Sequence, residues 1–564
     1  MTRVLSIFPK LDRGNILFYA RLFPEIMPDY DLKSCNVTGP DTPTPAENHA
    51  VEELRYWISE VSGDLPGEGD KNTQLILEND DSLGPEEFSI RPSEGKVVIS
   101  GGRPRGVLYG SYELLDRFCG VRWLAEDQTT VPSKDKIWLS PDGVNFSPVL
   151  NYREPYFTEG FDGDWAARNR LNSNRAGLSK VHGGRINYVG FVHTFNLLVP
   201  PEDFFSSHPE YFSEVEGKRI SEHTQLCLTN PDVVRLAAEK AISWLDETPG
   251  ADLISISQND WRNPCQCKTC SKIDEEEGTH AGSLLDFVNE VAERIEEKHP
   301  DVLVDTLAYQ YTRKATRTIR PRRNVVVRLC SIECCFSHPL ETCTENRSFR
   351  RDTEDWARVA HTLYVWDYVT NFKHYVMPFP NLRVLQPNVQ FFVKNNVRGI
   401  FEEGSYPDGG GGEFGALRSY LLARILWEPG CDVEEALTEF LEGYYGRAAK
   451  AIRGYIDELH NHVERENIHV RIYDDPGIFL NSDFVKDSLG IFKDAEKKAG
   501  DEKVRRRIRL AALPLEYSSV MLMDDGEAGK RSKFLEFIEK CRSMGITQIR
   551  EGRSLEDSIK EILG

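Results

Sequence analysis

The sequence predicts an α/β protein in three parts: a small α+β domain over residues 1–145, a (β/α)8 TIM barrel over residues 146–430 and a C-terminal helical region over residues 431–564. Three observations predict this organisation. A chain of 564 residues is too long for a single core. Short apolar strands alternate with longer amphipathic helices over about 280 residues, which is the length and rhythm of such a barrel. Beyond that stretch the apolar pattern is helical to the end.

The N-terminal part combines helices with strands. Apolar residues recur at helical spacing over residues 46–62, and a second helical pattern covers residues 106–116 after a glycine turn. Strand-like runs lie between them, at residues 73–77, 88–91 and 96–100. This mixture predicts a small α+β domain.

The central part supplies the strands and helices of the barrel. Its strand candidates are Val189–Val192, Leu253–Ser257, Val302–Tyr309, Asn324–Leu329, Leu363–Trp366 and Gly399–Glu402. Amphipathic helices fit between them, notably Pro231–Leu245 and Ser283–Lys298. No G-x-G-x-x-G follows the first strand and no P-loop occurs, which disfavours a doubly wound nucleotide-binding sheet. The C-terminal helices are predicted at Val433–Tyr445, Ala448–Glu464, Asp483–Lys498, Val504–Met523 and Gly526–Cys541.

Charge and hydropathy exclude several classes of partner. A net charge of −21 argues against nucleic acid and against an anionic membrane surface. No run approaches 18 consecutive apolar residues, so no membrane span is expected. Residues 1–9 hold too short an apolar segment for a secretory signal, so a cytoplasmic location is expected. Homo-oligomerisation is left open.

The cysteines suggest a structural metal site. Cys265, Cys267 and Cys270 form a C-x-C-x-x-C motif, and close cysteines in an intracellular chain indicate metal binding or reduced thiols. A closed zinc site needs a fourth ligand, for which His280 is one candidate. Other candidates are the second group of cysteines, Cys330, Cys334, Cys335 and Cys343. Buried free thiols are the alternative, and no cofactor is predicted for catalysis.

The end of the strand at Leu253 carries the most informative residues. Asn259, Asp260 and Trp261 begin where the apolar run ends. In a barrel, catalytic side chains lie at the carboxyl ends of strands. There Asn259 could orient a substrate group while Asp260 donates a proton. The alternative is that the two residues form a turn or cap.

Further polar and aromatic residues follow the other candidate strands. Taken singly, each is more typical of capping, salt bridging or core packing than of catalysis. Strand ends of a barrel converge on one mouth, however, so a shared site is predicted. With Asn259 and Asp260, the predicted catalytic residues include Glu402, and a lid is expected at Gly409–Gly412. The predicted substrate-binding residues are Arg153, His193, Trp261, Tyr309, Glu333, Trp366, Asp367, Tyr368 and Glu403.

Several acids beside aromatic platforms suit glycoside hydrolysis. That chemistry needs one carboxylic acid to protonate the leaving oxygen, and a second carboxylate or a substrate group to stabilise the oxocarbenium-like centre. The chain has no G-x-S-x-G and no H-E-x-x-H, which argues against serine hydrolases and zinc proteases of that type. An oligosaccharide or glycoside is therefore the expected partner.

The motifs also resemble known families. Residues 106–116, with Gly120-Val-Arg-Trp123, are similar to the small α+β domain that precedes the barrel in hexosaminidases and α-glucuronidases. From Tyr152 to Pro429 the chain resembles the domain of unknown function 4838. The motifs that carry this second resemblance are His208-Pro-Glu-Tyr-Phe212, Gln225-Leu-Cys-Leu-Thr229, Asn259-Asp-Trp261, Cys265-x-Cys-x-x-Cys270, Ala308-Tyr-Gln-Tyr311, Trp366-Asp-Tyr368 and Gly399-Ile-Phe-Glu402. Some members belong to glycoside hydrolase family 163, which acts on N-acetylglucosamine linkages of N-glycans. The resemblance implies a glycosidase.

Three functional hypotheses remain. The first is a retaining β-N-acetylglucosaminidase-like enzyme, in which Asn259 orients the acetamido group of the substrate, this group attacks the anomeric carbon, and Asp260 is the acid. The second is a two-carboxylate glycosidase that uses Glu402 with another acid, as in α-glucuronidases, where Arg153 or Arg313 pairs with a uronate. For that partner acid the candidates are Asp260, Glu333 and Asp367. The third is a non-catalytic carbohydrate-binding protein.

Overall fold

The computed structural model describes residues 28–63, 73–524, 526 and 529–563. They form two compact units. The first comprises the described residues up to Pro148 with Asp162–Leu171 and Ala176–Arg185, and the second holds the other described residues. The C-terminal helices thus belong to the same unit as the parallel sheet. The N-terminal segment from which a cytoplasmic location was predicted lies outside the described residues.

The first unit is a mixed α+β structure. Its main sheet has five strands in the order β2-β3-β5-β4-β9. Helix α1 begins where Thr44 and Glu47 form a capping box, and it buries Leu54 and Trp57. The strands are β1 Asp29–Asp31, β2 Cys35–Thr38, β3 Thr73–Asn79, β4 Phe88–Ser93, β5 Lys96–Gly101, β6 Arg122–Ala125, β7 Gln128–Thr130, β8 Lys136–Trp138 and β9 Val144–Phe146. The helices are α1 Pro45–Ser62, α2 Gly106–Glu113, which continues as a π-helical segment Leu114–Cys119, and α3 Gly163–Arg168.

The second unit is built on a sheet of seven parallel strands in the order β10-β18-β17-β16-β15-β14-β11. The first strand of this sheet along the chain pairs with the last, and the rings of Tyr152 and Tyr188 on the two edge strands lie 6.1 Å apart. The sheet therefore curls into an open barrel. Its strands are β10 Tyr152–Tyr156, β11 Tyr188–Val189, β14 Leu253–Ser255, β15 Leu303–Ala308, β16 Val325–Cys330, β17 Thr362–Tyr368 and β18 Val397–Glu403.

The prediction of eight barrel strands differs from the sheet in the described chain, which has seven. Strands β11 and β14 pair directly, so the two-stranded hairpin that lies between them in the chain adds no strand to this sheet, whose edge strands are β10 and β11. The hairpin is β12 Glu214–Val215 with β13 Lys218–Arg219. Strand β11 is also shorter than predicted, because residues 190–193 turn away from the sheet into the short helix that follows.

Helices cover the outer face of the sheet. Helix α6 is capped by Asn230, whose side chain accepts a hydrogen bond from the Asp232 amide, and its first residue is Pro231. Helix α8 buries its apolar stripe, including Leu285, Val288 and Ile295. The helices are α4 Phe195–Leu198, α5 Pro201–Phe204, α6 Pro231–Glu247, α7 Lys268–Glu277, α8 Ala281–Glu296, α9 Arg347–Val359, α10 Leu385–Lys394 and α11 Gly415–Trp427.

The C-terminal region is helical, as the sequence predicts, and two of its non-helical segments return to the barrel. In the first segment, which follows α13, Val470 and Ile472 accept backbone hydrogen bonds from Phe336 and Phe372, each of 2.8 Å. In the second, the Glu551 amide donates to the Phe372 carbonyl at 3.0 Å. The helices are α12 Val433–Tyr445, α13 Ala449–Arg465, α14 Ser482–Lys497, α15 Glu502–Met521, α16 Lys530–Met544 and α17 Leu555–Leu563. Within the described residues, no helix has the length and apolar composition needed to cross a membrane.

Candidate active site

A cavity of about 250 Å³ lies at the carboxyl ends of the barrel strands. Strand ends supply most of its wall, and the two returning C-terminal segments supply the rest. Its lining residues are Val192, His193, Asp260, Leu307, Tyr309, Cys330, Ile332, Trp366, Tyr368, Phe372, Glu403, Tyr473 and Glu551. Pockets for drug-sized ligands measure about 300–1,000 Å³, so this smaller cavity suits one sugar ring better than a bulky group.

Glu403, the last residue of β18, is the acid with the most perturbed environment in the cavity wall. Its side chain is buried, and its Oε2 accepts a hydrogen bond of 2.7 Å from the Trp366 indole. Burial, with the negative charges of Glu551 and Asp260, raises the pKa of Glu403 to about 8. The Trp366 hydrogen bond and the Arg328 charge oppose this shift only in part. Glu403 therefore carries a proton at neutral pH, as a general acid must.

Asp260 faces the same cavity from the loop that follows β14. The Tyr309 hydroxyl donates to its Oδ1 at 3.0 Å, and the Nε2 atom of His193 lies 4.0 Å from that oxygen. More than half of the Asp260 side chain is exposed. The pair of acids thus differs in environment, since Asp260 is open to solvent and Glu403 is buried beside an indole. Such a contrast separates the roles of two carboxyl groups.

His193 has an uncommon backbone conformation for a residue with a side chain. Its φ is 55°, in the left-handed region. The Nδ1 atom of the ring lies 2.7 Å from the Gln258 carbonyl oxygen, to which it donates a hydrogen bond. The Nε2 atom therefore faces Asp260. Burial lowers the pKa of His193. A neutral imidazole with its lone pair toward the cavity can accept a hydrogen bond from a substrate hydroxyl.

Two residues of the C-terminal region complete the wall. Tyr473 and Glu551 line the cavity, and more than a third of each residue's surface reaches solvent. Burial and the Asp260 charge raise the pKa of Glu551. The sequence reading had no signal for either residue, because they lie far along the chain from every candidate strand end. Only long-range packing brings them to the cavity.

An ion pair lies beneath the cavity, inside the barrel. The fully buried Arg328 donates to Asp305 at 3.1 Å, and its guanidinium stacks 4.9 Å from the centre of the Trp366 ring. Because Arg328 holds Trp366 from below, the indole is fixed where it can donate to Glu403. Its charge is shared with Asp305 and does not line the cavity.

The structure places Asn259 on the opposite side of the chain from Asp260. Its Nδ2 donates to Asn196 Oδ1 at 2.7 Å and to the Thr224 carbonyl at 2.8 Å, and its Oδ1 accepts from the Asn196 amide. The Gln225 side chain accepts from the Asn259 backbone amide and donates to the Asn259 carbonyl, each at 2.9 Å. Asn259 is thus a buried anchor of the loop. Trp261 lies at the surface, where its indole donates to Thr224, and it does not line the cavity.

Glu402 and Asp367 are also turned away from the cavity. Successive side chains of a strand point to opposite faces. Trp366, Tyr368 and Glu403 line the cavity. Asp367, between the first two, and Glu402, next to Glu403, therefore point to the other face of the sheet. Asp367 accepts a hydrogen bond from Ser331. Burial raises the pKa of both carboxyl groups, and the Asp367 charge raises that of Glu402 further.

The remaining predicted binding residues are engaged elsewhere. Arg153 is fully buried and stacks its guanidinium 5.2 Å from the Trp427 ring centre. Arg313 bonds Glu333 and Asp352, each at 2.7 Å. None of these residues lines the cavity. Of the predicted site residues, the structure brings together His193, Asp260, Tyr309, Trp366, Tyr368 and Glu403.

The glycine run expected to form a lid is packed against the C-terminal region. Gly409 has a φ of 87°, and a Cβ there would lie 1.7 Å from the Gly545 carbonyl oxygen. The Thr547 hydroxyl donates to the Asp408 carbonyl at 2.7 Å. The run therefore allows a close backbone approach that holds the segment leading to Glu551.

The C-x-C-x-x-C motif gathers with a fourth cysteine. The sulfur atoms of Cys227, Cys265, Cys267 and Cys270 all lie within 4.8 Å of one another. This group is called the four-cysteine cluster below. Neither source proposed for a fourth ligand joins this cluster: His280 bonds Asp274 at 2.7 Å, and Cys335 and Cys343 of the other cysteine group belong to a separate cluster. Cys227 precedes α6 by a few residues, so its sequence separation from the motif concealed it.

Comparison with known proteins identifies the family. Residues 123–457, more than half of the chain, match the family described as "Domain of unknown function (DUF4838)". The chain belongs to this family. The resemblance drawn from the sequence is confirmed at this level, and membership of glycoside hydrolase family 163 stays a prediction. No curated protein matches the chain.

Several solved glycoside hydrolases are similar in overall structure at low identity. CpGH89 from Clostridium perfringens, in complex with GlcNAc-alpha-1,4-galactose, is 14% identical with a TM-score of 0.49, over 92% of this chain and 65% of that one. A GH138 enzyme targeting pectin rhamnogalacturonan II is 12% identical with a TM-score of 0.45, over 94% and 78%. The structure of CpGH84B is 11% identical with a TM-score of 0.43, over 95% of this chain and 97% of that one. With TM-scores below 0.5, these likenesses carry no weight in assigning an activity.

Proposed function

We propose that this protein is a glycoside hydrolase in which Glu403 is the proton donor and Asp260 is the second carboxylate. The observation that carries the proposal is the pairing of two acids with opposite environments in one aromatic-lined cavity. Burial and neighbouring charges keep Glu403 protonated, with a pKa of about 8, whereas Asp260 is open to solvent. Glycoside hydrolysis needs one carboxylic acid to protonate the leaving oxygen, and a second carboxylate or a substrate group to stabilise the oxocarbenium-like centre.

Glu403 would act on the leaving group. As the bond between the anomeric carbon and the glycosidic oxygen breaks, its electron pair moves to the oxygen, which takes the proton of Glu403. The Trp366 indole, 2.7 Å from Glu403 Oε2, favours the carboxylate that results and holds the carboxyl group in place. The proton thus passes directly from the side chain to the leaving group.

Asp260 would orient the acetamido group of an N-acetylglucosamine-type β-glycoside. An acetamido group offers one N–H, one carbonyl oxygen and one methyl. The Tyr309 hydroxyl donates to one oxygen of the Asp260 carboxylate and holds it in place, the other oxygen can accept from the acetamido N–H, and Val192 and Leu307 supply apolar wall. The acetamido oxygen so held would attack the anomeric carbon, and later attack by water would give net retention. Asn259 cannot take this role with its present partners, because both polar atoms of its side-chain amide are already bonded.

The charge of the cavity favours a neutral sugar over a uronate. Three carboxyl groups, those of Asp260, Glu403 and Glu551, line it. Among the described residues no lysine or arginine lines it. A uronate would meet these acids without a basic partner, since Arg153 and Arg313 are engaged elsewhere. An α-glucuronidase-like specificity is therefore disfavoured.

Hydrolysis of nitrophenyl glycosides tests the proposal. The β-N-acetylglucosaminide should be cleaved far faster than the β-glucoside and the β-glucuronide. Stepwise fluorination of the N-acetyl methyl should lower the rate, because it weakens the attacking carbonyl oxygen. Equal rates across the fluorinated series would show that the acetamido group is not the nucleophile, and direct attack by Asp260 on the anomeric carbon would take its place. Binding of the sugars without cleavage of any of them would leave a non-catalytic carbohydrate-binding protein.

We also propose that the four-cysteine cluster holds a structural zinc ion. Cys227 Sγ and Cys267 Sγ lie 3.7 Å apart, close to the separation of about 3.8 Å between two sulfurs on tetrahedral zinc. The Glu214 amide and the Arg219 guanidinium donate to Cys265 Sγ, and such hydrogen bonds stabilise a metal-bound thiolate. The zinc would tie the loop after β14 to the segment before α6. Loss of one zinc ion from a Cys267→Ser variant tests this assignment.

A further inference from the structure

A second set of metal-ligating side chains lies apart from the four-cysteine cluster and from the cavity wall. It consists of Cys335, His338, Cys343 and His469, called the mixed cysteine–histidine cluster here, and one ligating atom of each lies within 4.8 Å of the others. The first three belong to the segment between β16 and α9, and His469 follows α13. The sequence reading singled out Cys335 and Cys343 without finding either histidine.

Three sulfur–nitrogen distances within the mixed cysteine–histidine cluster match those of a tetrahedral zinc site. Cys335 Sγ lies 3.4 Å from His338 Nδ1 and 3.2 Å from His469 Nδ1, and Cys343 Sγ lies 3.6 Å from His469 Nδ1. With Zn–S bonds of about 2.3 Å and Zn–N bonds of about 2.0–2.1 Å, a sulfur and a nitrogen on tetrahedral zinc lie about 3.5 Å apart. Hydrogen bonding requires only that such atoms approach in pairs, whereas here one ligating atom of each residue lies within 4.8 Å of the other three.

The backbone around the ligands is held independently of any metal. Asn346 fixes Cys335 through its side chain, which accepts from the Cys335 amide and donates to the Cys335 carbonyl, each at 2.8 Å. Ser337 bonds both sides of His469, because its hydroxyl donates to the Ile468 carbonyl at 2.7 Å and accepts from the Val470 amide at 3.0 Å. The ligands are therefore preorganised, which favours specific binding of a small tetrahedral cation.

We infer that the mixed cysteine–histidine cluster is a second structural zinc site. Two thiolates and two imidazoles in tetrahedral array suit zinc. On binding, each thiol of Cys335 and Cys343 loses one proton to solvent and both histidines bind in the neutral form, so the two thiolates neutralise the Zn²⁺ charge. The cysteines are buried and make no disulfide, which leaves both sulfurs available as ligands.

The position of the site gives it a structural consequence for the cavity. His469 lies four residues before Tyr473, which lines the cavity wall. The other three ligands lie in the segment that follows β16, whose last residue, Cys330, lines the same cavity. The zinc would therefore clamp the C-terminal segment that carries Tyr473 onto the end of the barrel. His469 and its fellow ligands are positioning residues in this inference and touch no substrate.

Zinc content of the full chain tests the site. Protein purified in the presence of zinc and a reductant should hold two zinc ions per chain, one in each cluster. Cys343→Ser should lower the content by one ion, Cys267→Ser by one, and the two together by two. The matched control is Cys431→Ser, a half-buried free cysteine outside both clusters, which should keep the wild-type content. An unchanged zinc content in Cys343→Ser, or a Cys335–Cys343 disulfide found by mass spectrometry in freshly purified protein, would overturn the inference.

The outcomes separate this site from the proposal for the four-cysteine cluster. If the four-cysteine cluster binds no metal, the wild-type protein should hold one zinc ion and Cys343→Ser none, and the present inference survives. X-ray absorption at the zinc edge gives the same answer without any variant. Two filled sites should average about three sulfurs and one nitrogen per zinc, whereas zinc in the four-cysteine cluster alone should show about four sulfurs and no imidazole. The second result would refute the inference even if Cys343→Ser failed to fold.

Amide hydrogen exchange tests the clamp itself. Chelation of zinc, or Cys343→Ser, should speed exchange over residues 468–473, where the Val470 amide donates to Ser337. The same treatment should leave the amides of α8 unchanged, since that helix holds no ligand of either cluster. Equal protection of residues 468–473 with and without zinc would show that the backbone hydrogen bonds hold the segment unaided.

Discussion

Replacing Glu403 with glutamine separates the acid of this site from its neighbour on the same strand. The change keeps the shape of the side chain and removes its titratable proton. The folded-state pKa of Glu403 is about 8, well above its ordinary value of 4.5. At about 1.36 kcal/mol per pKa unit, the ionised form is disfavoured in the fold by about 5 kcal/mol. The wild-type enzyme should therefore keep its acid protonated up to about pH 8.

The expected kinetic result has two parts. In the wild type, kcat/KM should fall as the pH rises through about 8, because Glu403 loses its proton there. In Glu403→Gln this alkaline limb of the pH profile should vanish, and turnover of a natural disaccharide should fall by about 10²–10⁴-fold. Nitrophenyl glycosides should lose less, because nitrophenolate needs little protonation to leave. The assay is kcat/KM against pH on both substrate types.

Glu402→Gln is the matched control, since Glu402 is the adjacent residue, is buried, and does not line the cavity. It should keep the alkaline limb and the wild-type dependence on leaving group. If instead Glu402→Gln abolishes the limb and Glu403→Gln keeps it, the assignment of the acid from the cavity wall is refuted. The sequence prediction of Glu402 would then stand.

The same pKa shift has a thermodynamic consequence. Because the folded-state pKa of Glu403 is raised, the folded state binds a proton that the unfolded state has lost between about pH 4.5 and pH 8. The contribution of Glu403 to stability is thus fully present below about pH 4.5 and is lost as the pH rises to about 8. Urea unfolding should show Glu403→Gln gaining stability over the wild type as the pH rises from about 4.5 to about 8, by at most about 5 kcal/mol. A difference that does not change with pH would contradict the shift.

Three further substitutions probe the neighbours of Glu403. Glu551→Gln removes a charge that raises the pKa of Glu403, so the alkaline limb of kcat/KM should move to lower pH; a limb that stays in place would show that the two acids are not coupled. Tyr309→Phe removes the hydroxyl that donates to Asp260, a hydrogen bond worth about 1.5–3 kcal/mol for a charged acceptor. The value of kcat/KM on the N-acetylglucosaminide should therefore fall by about 10–100-fold. An equal fall on the glucoside would argue against a role with the acetamido group. Asn259→Ala leaves buried hydrogen-bond partners unsatisfied and should lower the free energy of unfolding, measured in urea, by about 1–3 kcal/mol. If its activity depended on the leaving group as that of Glu403→Gln does, Asn259 would have a role in catalysis.

The sequence by itself determined where the elements lie and which strand ends matter. Periodicity of apolar residues depends only on near neighbours in the chain, so α12 at Val433–Tyr445 lies where it was predicted. Strand ends carry polar residues in a local pattern as well. For that reason His193, Asp260, Tyr309 and Trp366 were assigned to a common site, and they line one cavity.

The tertiary structure decided which of two adjacent residues faces that cavity. Asn259 with Asp260 and Glu402 with Glu403 are neighbours of similar chemistry, and alternation along an extended chain sends one member of each pair outward. Which member faces inward depends on the side where the barrel closes, and the sequence around each pair does not record it. Glu551, Cys227 and His469 reach their sites from distant segments. Their places follow from long-range packing of helices and loops, a property of the whole fold that no local pattern contains.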